Sequence, residues 1–258
     1  MRHAIALSAS HFQTRRMLQQ YIAQAYLWHP SERGTEEMTS SSPSEPLSLP
    51  CERRERGCRL VVVTGGPGAG KTAVLEIARR SFCKNIAFIP EAAGIVFGGG
   101  FWRHASLVGR KAAQLAIFHV QRQMERVILE EGEVAFGLCD RGTIDGLAYW
   151  PEPEANSASF FREIDTTHAA ELARYHAVIH LKTPASGHGY NQQNPLRVES
   201  AAEAQALDAR ILGAWAGHPN RIVIESSDDF LSKATAAIQA IKANLPDCCR
   251  EHPVLFGP

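Results

Sequence analysis

Gly65-Gly66-Pro67-Gly68-Ala69-Gly70-Lys71-Thr72 meets the pattern G-x-x-x-x-G-K-[S/T] at every fixed position. Leu60-Val61-Val62-Val63, immediately before it, is the short apolar run a buried parallel strand requires. Ala73 to Phe82, immediately after it, contains neither Gly nor Pro and sets Val74, Leu75, Ile77, Ala78 and Phe82 on an apolar helical face. A Gly-rich turn matches such a pattern by chance, but not with a strand and a helix both in register. The stretch predicts a phosphate-binding loop. Its glycines let the backbone wrap around phosphates with N–H groups aimed inward, and the helix N-terminus adds partial positive charge. Lys71 is then expected to reach the β- and γ-phosphates, and the Thr72 hydroxyl to take one position on Mg²⁺.

Outward from the loop, strands alternate with helices. Ile86 to Ile89 reads as a second strand, and Pro90 ends it, because proline cannot donate to a sheet ladder. Glu91 therefore stands beyond a strand tip, where open parallel sheets bind ligands. Gly94 to Phe101, with three consecutive glycines, is expected to be a loop, either closing over a ligand or without a role. Ser106 to Glu131 is the longest helix candidate, and Gln114 and Gln121 share a face of it. A buried Gln121 would read a base or sugar; an exposed glutamine is the commoner case.

Val134 to Cys139 predicts a third strand, closed by Asp140-Arg141-Gly142-Thr143-Ile144-Asp145. An acid at a strand tip beside a phosphate loop is where a Mg²⁺ water is held, and an adjacent arginine bridges phosphate oxygens. The alternative is a strand-ending turn with an ordinary ion pair. Phe160 to Tyr175 is expected to be one helical stretch, and Val178 to Leu181 a fourth strand in which His180 is a core histidine. Lys182 to Val198 reads as a long loop carrying Arg197, and Ser200 with Glu203 forms a capping box for a helix to about Ala216. Arg221 to Glu225 is the fifth strand and Asp228 to Ala243 the last helix, followed by a tail from Pro246 with no readable signal. The expected fold is a three-layer α/β P-loop NTPase fold with a five-stranded parallel sheet.

The ends differ from this body, which is expected over residues 58–245, with a tail over 246–258. Residues 1–57 read as a partly disordered N-terminal extension: a short helical pattern around Leu18, Tyr21, Ile22 and Ala25, then a Ser/Pro/Glu-rich linker. The absence of acids before Glu32, with Arg2, Arg15 and Arg16 present, has some character of an organelle-targeting segment. The pattern is short, so a satellite helix or tail is preferred. Net charge is zero over 258 residues, so no nucleic-acid partner is expected, and no apolar run reaches membrane-spanning length. Six cysteines form no C-x-x-C pair, which suits a reduced, cytoplasmic protein.

Taken together these residues resemble the NadR-like P-loop kinase/ATPase family, an AAA-type NTP-binding domain related to nicotinamide-riboside and deoxynucleoside kinases. The resemblance runs from about Arg59 to Lys242. It rests on T-G-G-P-G-A-G-K-T at Thr64 to Thr72, P-E-A-A at Pro90 to Ala93 and I-F-H-V-Q at Ile117 to Gln121. D-R-G-x-x-D at Asp140 to Asp145 and L-R-V-E-S at Leu196 to Ser200 complete it. It implies Glu91 as the acid facing an acceptor hydroxyl, Asp140 and Arg141 as the acid-arginine pair after the third strand, and Arg197 as a lid arginine. With Lys71 these make the candidate catalytic set. Glu91, Gln121 and Asp145 are the candidate substrate contacts, and Thr72 and Asp140 the candidate Mg²⁺ ligands.

Two functions follow as expectations. One is a kinase moving the γ-phosphoryl of ATP to a small nucleoside-like hydroxyl acceptor. The other is a nucleotide-dependent switch or regulatory ATPase/GTPase acting on a partner protein, for which residues 1–57 are the candidate surface. No N-K-x-D guanine reader is present, which favours ATP over GTP.

Overall fold

The computed structural model describes residues 57–151, 157–184, 201–227 and 229–250. The predicted N-terminal helix and linker, the Ser200 cap and Arg197 lie outside these residues.

Five strands form one sheet: β1 (Arg59–Thr64), β2 (Ile86–Ile89), β3 (Phe136–Asp140), β4 (Ala177–Leu181) and β5 (Arg221–Ile224). Their order is β2-β3-β1-β4-β5, and every pairing is parallel. The chain moves outward past β3 to make β2, then crosses to the other side of β1 to make β4. The order thus reverses around β1, which opens a crevice at the carboxyl ends of β1 and β3. Val63 pairs with Asp140 and Thr64 with His180, so the phosphate loop, the Asp140-Arg141 turn and the end of β4 emerge at one level.

Alternation along β1 divides the core. Leu60 and Val62 pack with Ile144, Leu207, Ile211 and Trp215 on one face. Val61 and Val63, equally buried, face the other way. That second face is covered by α1 (Lys71–Ser81) and by α8 (Phe230–Asn244), whose N-terminus is capped by Asp229. The first carries α3 (Leu107–Glu131), α4 (Asp145–Tyr149) and α7 (Ala201–Ala214). Ser106 caps α3 by accepting from Gly109 N, as its position before the apolar run predicts.

Two expectations are corrected. Residues 94–101 are not all loop: α2 (Ala92–Gly98) forms because Ala92 and Val96 bury against α3, while the glycines collect at its end, with Gly100 at φ 96°. Phe160 to Tyr175 is not one helix but α5 (Ser157–Glu163) and α6 (His168–Leu172). The break falls at Asp165, whose φ is 50°, and Thr167 then caps α6 by accepting from Ala170 N. Beyond Pro246 the chain makes α9 (Asp247–Arg250), where Cys249 is buried. Among the described residues no helix is long and apolar enough to cross a membrane.

Candidate functional site

The loop between β1 and α1 turns on glycines. Gly65 has φ 135°, and a Cβ there would sit 2.1 Å from the Leu181 carbonyl oxygen, so no other residue fits. Gly70, at φ 92°, starts α1, and no side chain caps that helix. Its first N–H groups therefore face the crevice as an anion site. Lys71 Nζ reaches back across the loop to Gly65 O (2.8 Å) and Gly66 O (2.9 Å).

Arg141 is held by its backbone as much as by its side chain. It has φ 70°, its N–H donates to Val63 O, and its own carbonyl accepts from Gln121 Nε2 at 3.3 Å. Its guanidinium donates to Glu91 Oε1 (2.7 Å), Asp145 Oδ2 (3.0 Å) and Gly65 O (3.3 Å). The side chain is only 14% exposed against 40% for Glu91, so the arginine is the fixed partner and Glu91 the one presented to solvent. Glu91 precedes α2 without capping it through its side chain.

Asp145 is buried and fully engaged. Oδ2 accepts from Thr64 Oγ1 (2.5 Å) and Arg141, and Oδ1 from Trp215 Nε1 (2.6 Å). It braces the end of β1 through Thr64. Gln121 is likewise buried, with its amide given to Glu125 Oε1 (2.8 Å) and the Arg141 carbonyl. Behind it, Glu125 also accepts from Tyr175 Oη (2.8 Å) and Arg174, while Glu171 accepts from Arg122 (3.0 Å) and Thr143 Oγ1 (2.8 Å). Glu125, Asp145 and Glu171 are thus each paired and hydrogen-bonded, as burial demands. The Thr143 N–H, donated to Tyr175 Oη at 2.9 Å, ties this network to the Asp140-Arg141 turn.

The charges in the crevice shift one another. Burial, reinforced by Arg141, lowers Lys71 to about 7, while Asp140, Glu91 and Asp145 pull it upward. Burial raises Asp140 to about 6, with Glu91 adding to the rise and Lys71 and Arg141 opposing it. Asp140 Oδ1 is buried and has no hydrogen-bond partner in the protein. The Thr72 hydroxyl stands exposed on the first turn of α1. One buried carboxylate oxygen lacking a partner and one free hydroxyl are hard oxygen donors of the kind Mg²⁺ takes when phosphates and waters complete its shell. These residues fit the ion.

The sequence-predicted Lys71, Asp140, Arg141, Glu91 and Asp145 are therefore brought around the Gly65 carbonyl, with Gln121 one layer below. Three further residues were missed: Asp208, which accepts the Gly66 N–H at 2.7 Å, Trp215 and Glu125. A signal for two of them exists. Asp208 and Glu125 each sit at helical spacing among buried residues of their helix, where an acid is out of place unless it bonds something specific.

Comparisons with known proteins agree with this architecture. No curated protein matches the chain. Among solved structures, a NadR protein in complex with NR superposes with a TM-score of 0.52 at 15% identity, over 72% of this chain and 51% of that one. The chain thus corresponds to about half the length of that protein. Thymidylate kinases from Candida albicans (TM-score 0.49, 12% identity, 75% of this chain and 97% of that one) and Ehrlichia chaffeensis (0.48, 11%, 74% and 100%) are also similar. The model of the AAA domain family matches residues 60–233. That span opens in β1, contains the phosphate loop and the Asp140-Arg141 turn, and closes in α8: the chain belongs to the AAA domain family, on a P-loop kinase/NTPase fold.

Proposed function

We propose that this protein is a phosphotransferase that moves the γ-phosphoryl of ATP to a hydroxyl of a small, nucleoside-like acceptor. The observation that carries the reading is the Arg141–Glu91 pair at 2.7 Å, set beside the phosphate loop and across from Asp140. A solvent-facing carboxylate held beside a cation is suited to take the proton of an attacking acceptor hydroxyl.

In this reading the loop amides and Lys71 cradle the β- and γ-phosphates. Arg141 offers its guanidinium to the transferring group, where charge spreads over the equatorial oxygens. Thr72 and Asp140 would hold Mg²⁺, which supplies charge neutralisation on the phosphates when bound. Glu91 accepts the hydroxyl proton as the acceptor oxygen bonds to the γ-phosphorus and the bond to the β–γ bridging oxygen breaks. ADP and a phosphorylated acceptor leave, and Glu91 returns its proton to solvent. Arg197, outside the described residues, is proposed as a further cation toward the same phosphoryl.

A nucleotide-dependent regulator is the second reading. It is favoured by one feature: Ile95, Phe101, Trp102, Leu107 and Val108 are exposed around the α2–α3 connection. Incubation with γ-labelled ATP and a panel of nucleosides separates the two. Label on a nucleoside supports transfer, and label released only as phosphate supports the regulator.

A further inference from the structure

Asp208 lies on the buried stripe of α7 formed by Ala204, Leu207 and Ile211, and is only 3% exposed. A carboxylate there costs stability unless its oxygens are bonded. They are. Oδ1 accepts from Gly66 N at 2.7 Å and from His180 Nε2 at 3.0 Å, and Oδ2 faces Lys182 Nζ at 3.8 Å. His180 is fully buried, and a carboxylate can only accept, so its Nε2 donates to Asp208. The helix approaches the loop as closely as glycine allows. A Cβ on Gly66 would lie 2.5 Å from Thr183 Oγ1 and 2.8 Å from Asp208 Cβ.

The Gly66 N–H and the Gly65 carbonyl belong to one planar peptide unit and point in opposite directions. On one side stands Asp208. On the other, Gly65 O accepts from Lys71 Nζ at 2.8 Å and Arg141 at 3.3 Å. A single peptide plane between two glycines therefore connects a buried carboxylate with both cations of the phosphate site. Two successive glycines resist rotation of that plane very little by themselves.

We infer that Asp208 is a positioning residue of the phosphate site: by holding the Gly66 N–H it fixes the Gly65–Gly66 peptide, and with it the places of Lys71 and Arg141. The inference rests on the phosphotransfer reading, in which those two cations must meet the transferring group. A displacement of about 1 Å there is enough to cost about 10²-fold in rate.

The test compares Asp208→Ala with Asp208→Asn, whose Oδ1 keeps both hydrogen bonds while the charge is lost. In the full chain, each variant is followed by thermal melting, by ATP affinity, by kcat for γ-phosphoryl release or transfer, and by exchange of the Gly66 amide proton in NMR spectra. Asp208→Ala is expected to lower kcat about 10- to 100-fold with ATP affinity changed about threefold or less, and to expose the Gly66 amide to exchange. Asp208→Asn should restore most of the rate and the protection. A folded Asp208→Ala with wild-type kcat and a protected Gly66 amide overturns the inference. So does a loss that follows only the unfolded fraction and is equal in Asp208→Asn. Should Asp208→Ala fail to fold, Asp208→Glu, which keeps the charge but pushes the peptide away, must show the lowered kcat. Wild-type kcat in that variant overturns the inference as well. A wild-type protein that binds no nucleotide removes the phosphotransfer reading and this inference together, whereas turnover unaffected by Asp208→Ala removes the inference alone.

Discussion

Arg141 and Glu91 meet at 2.7 Å across the tips of β3 and β2, and the same guanidinium also touches the phosphate loop at Gly65 O and the start of α4 at Asp145. One arginine therefore sets the spacing between the segment that would handle phosphates and the carboxylate that would handle an acceptor. Its planar fork is suited to several fixed partners in a way an ammonium is not. Arg141→Lys should retain the charge and lose the arrangement. The expected outcome is a fall in kcat of about 10²-fold or more with a smaller change in ATP affinity, read from steady-state kinetics and direct binding.

Asp140 offers a buried oxygen without a protein partner, so its substitution should be felt when the ion is present. Asp140→Asn is expected to impair Mg²⁺-dependent turnover far more than Mg²⁺-free nucleotide binding. Removal of Mg²⁺ by a chelator should abolish wild-type turnover and change the variant's residual rate little. Wild-type turnover in Asp140→Asn would remove this residue from the metal site.

Lys71 gives a pH signature. Burial holds it near 7 in the protein, well below the ordinary lysine value of 10.5. Phosphate oxygens beside it favour the charged form and raise it again. ATP binding should therefore take up protons between about pH 7 and pH 10. Calorimetry in two buffers of different ionisation enthalpy reads this uptake, and Lys71→Met should abolish it. The same shift acts on stability. Between pH 7 and 10.5 the unfolded chain holds more protons at this residue than the folded one, so its contribution to stability rises with pH in that window. In Lys71→Met that slope should flatten.

Tyr175 is the hub of the buried network behind the Asp140-Arg141 turn. Its hydroxyl accepts the Thr143 N–H and donates to Glu125. Tyr175→Phe preserves the ring, leaves the buried Thr143 N–H without its acceptor and removes one of the donors to Glu125, at a cost of about 1–3 kcal/mol. For a domain of this size the expected drop in Tm is about 2–4 °C per kcal/mol, measured by scanning calorimetry. An unchanged Tm would mean that water replaces the hydroxyl.

Much of this was legible in the sequence because it is local. The phosphate loop, its flanking strand and helix, Pro90 as a strand end and Asp140-Arg141 at the next tip are all written in neighbouring residues. What the sequence hid is long-range. Gly66 and Asp208 stand 142 positions apart, and Asp145 and Trp215 stand 70 apart. No periodicity announces such pairs, although an acid on a buried helical stripe is a hint. The local D-R-G-x-x-D spacing says nothing of the indole that bonds Asp145. The break at Asp165 was missed since nothing there is Gly or Pro. Only its left-handed φ of 50° and the Thr167 cap reveal the boundary between α5 and α6. Conversely, the glycines at 98–100 overstated the loop, because burial of Ala92 and Val96 decides the segment before them.

The central claim is that Glu91 serves an acceptor hydroxyl, and the most direct test is transfer of γ-label from ATP to a panel of nucleosides by the wild type and by Glu91→Gln. Glutamine keeps the shape and removes the base. The account predicts a labelled nucleoside with the wild type and a loss of about 10²- to 10⁴-fold in Glu91→Gln, with ATP affinity retained. Undiminished transfer by Glu91→Gln, or label released only to water at the same rate by both proteins, would contradict it.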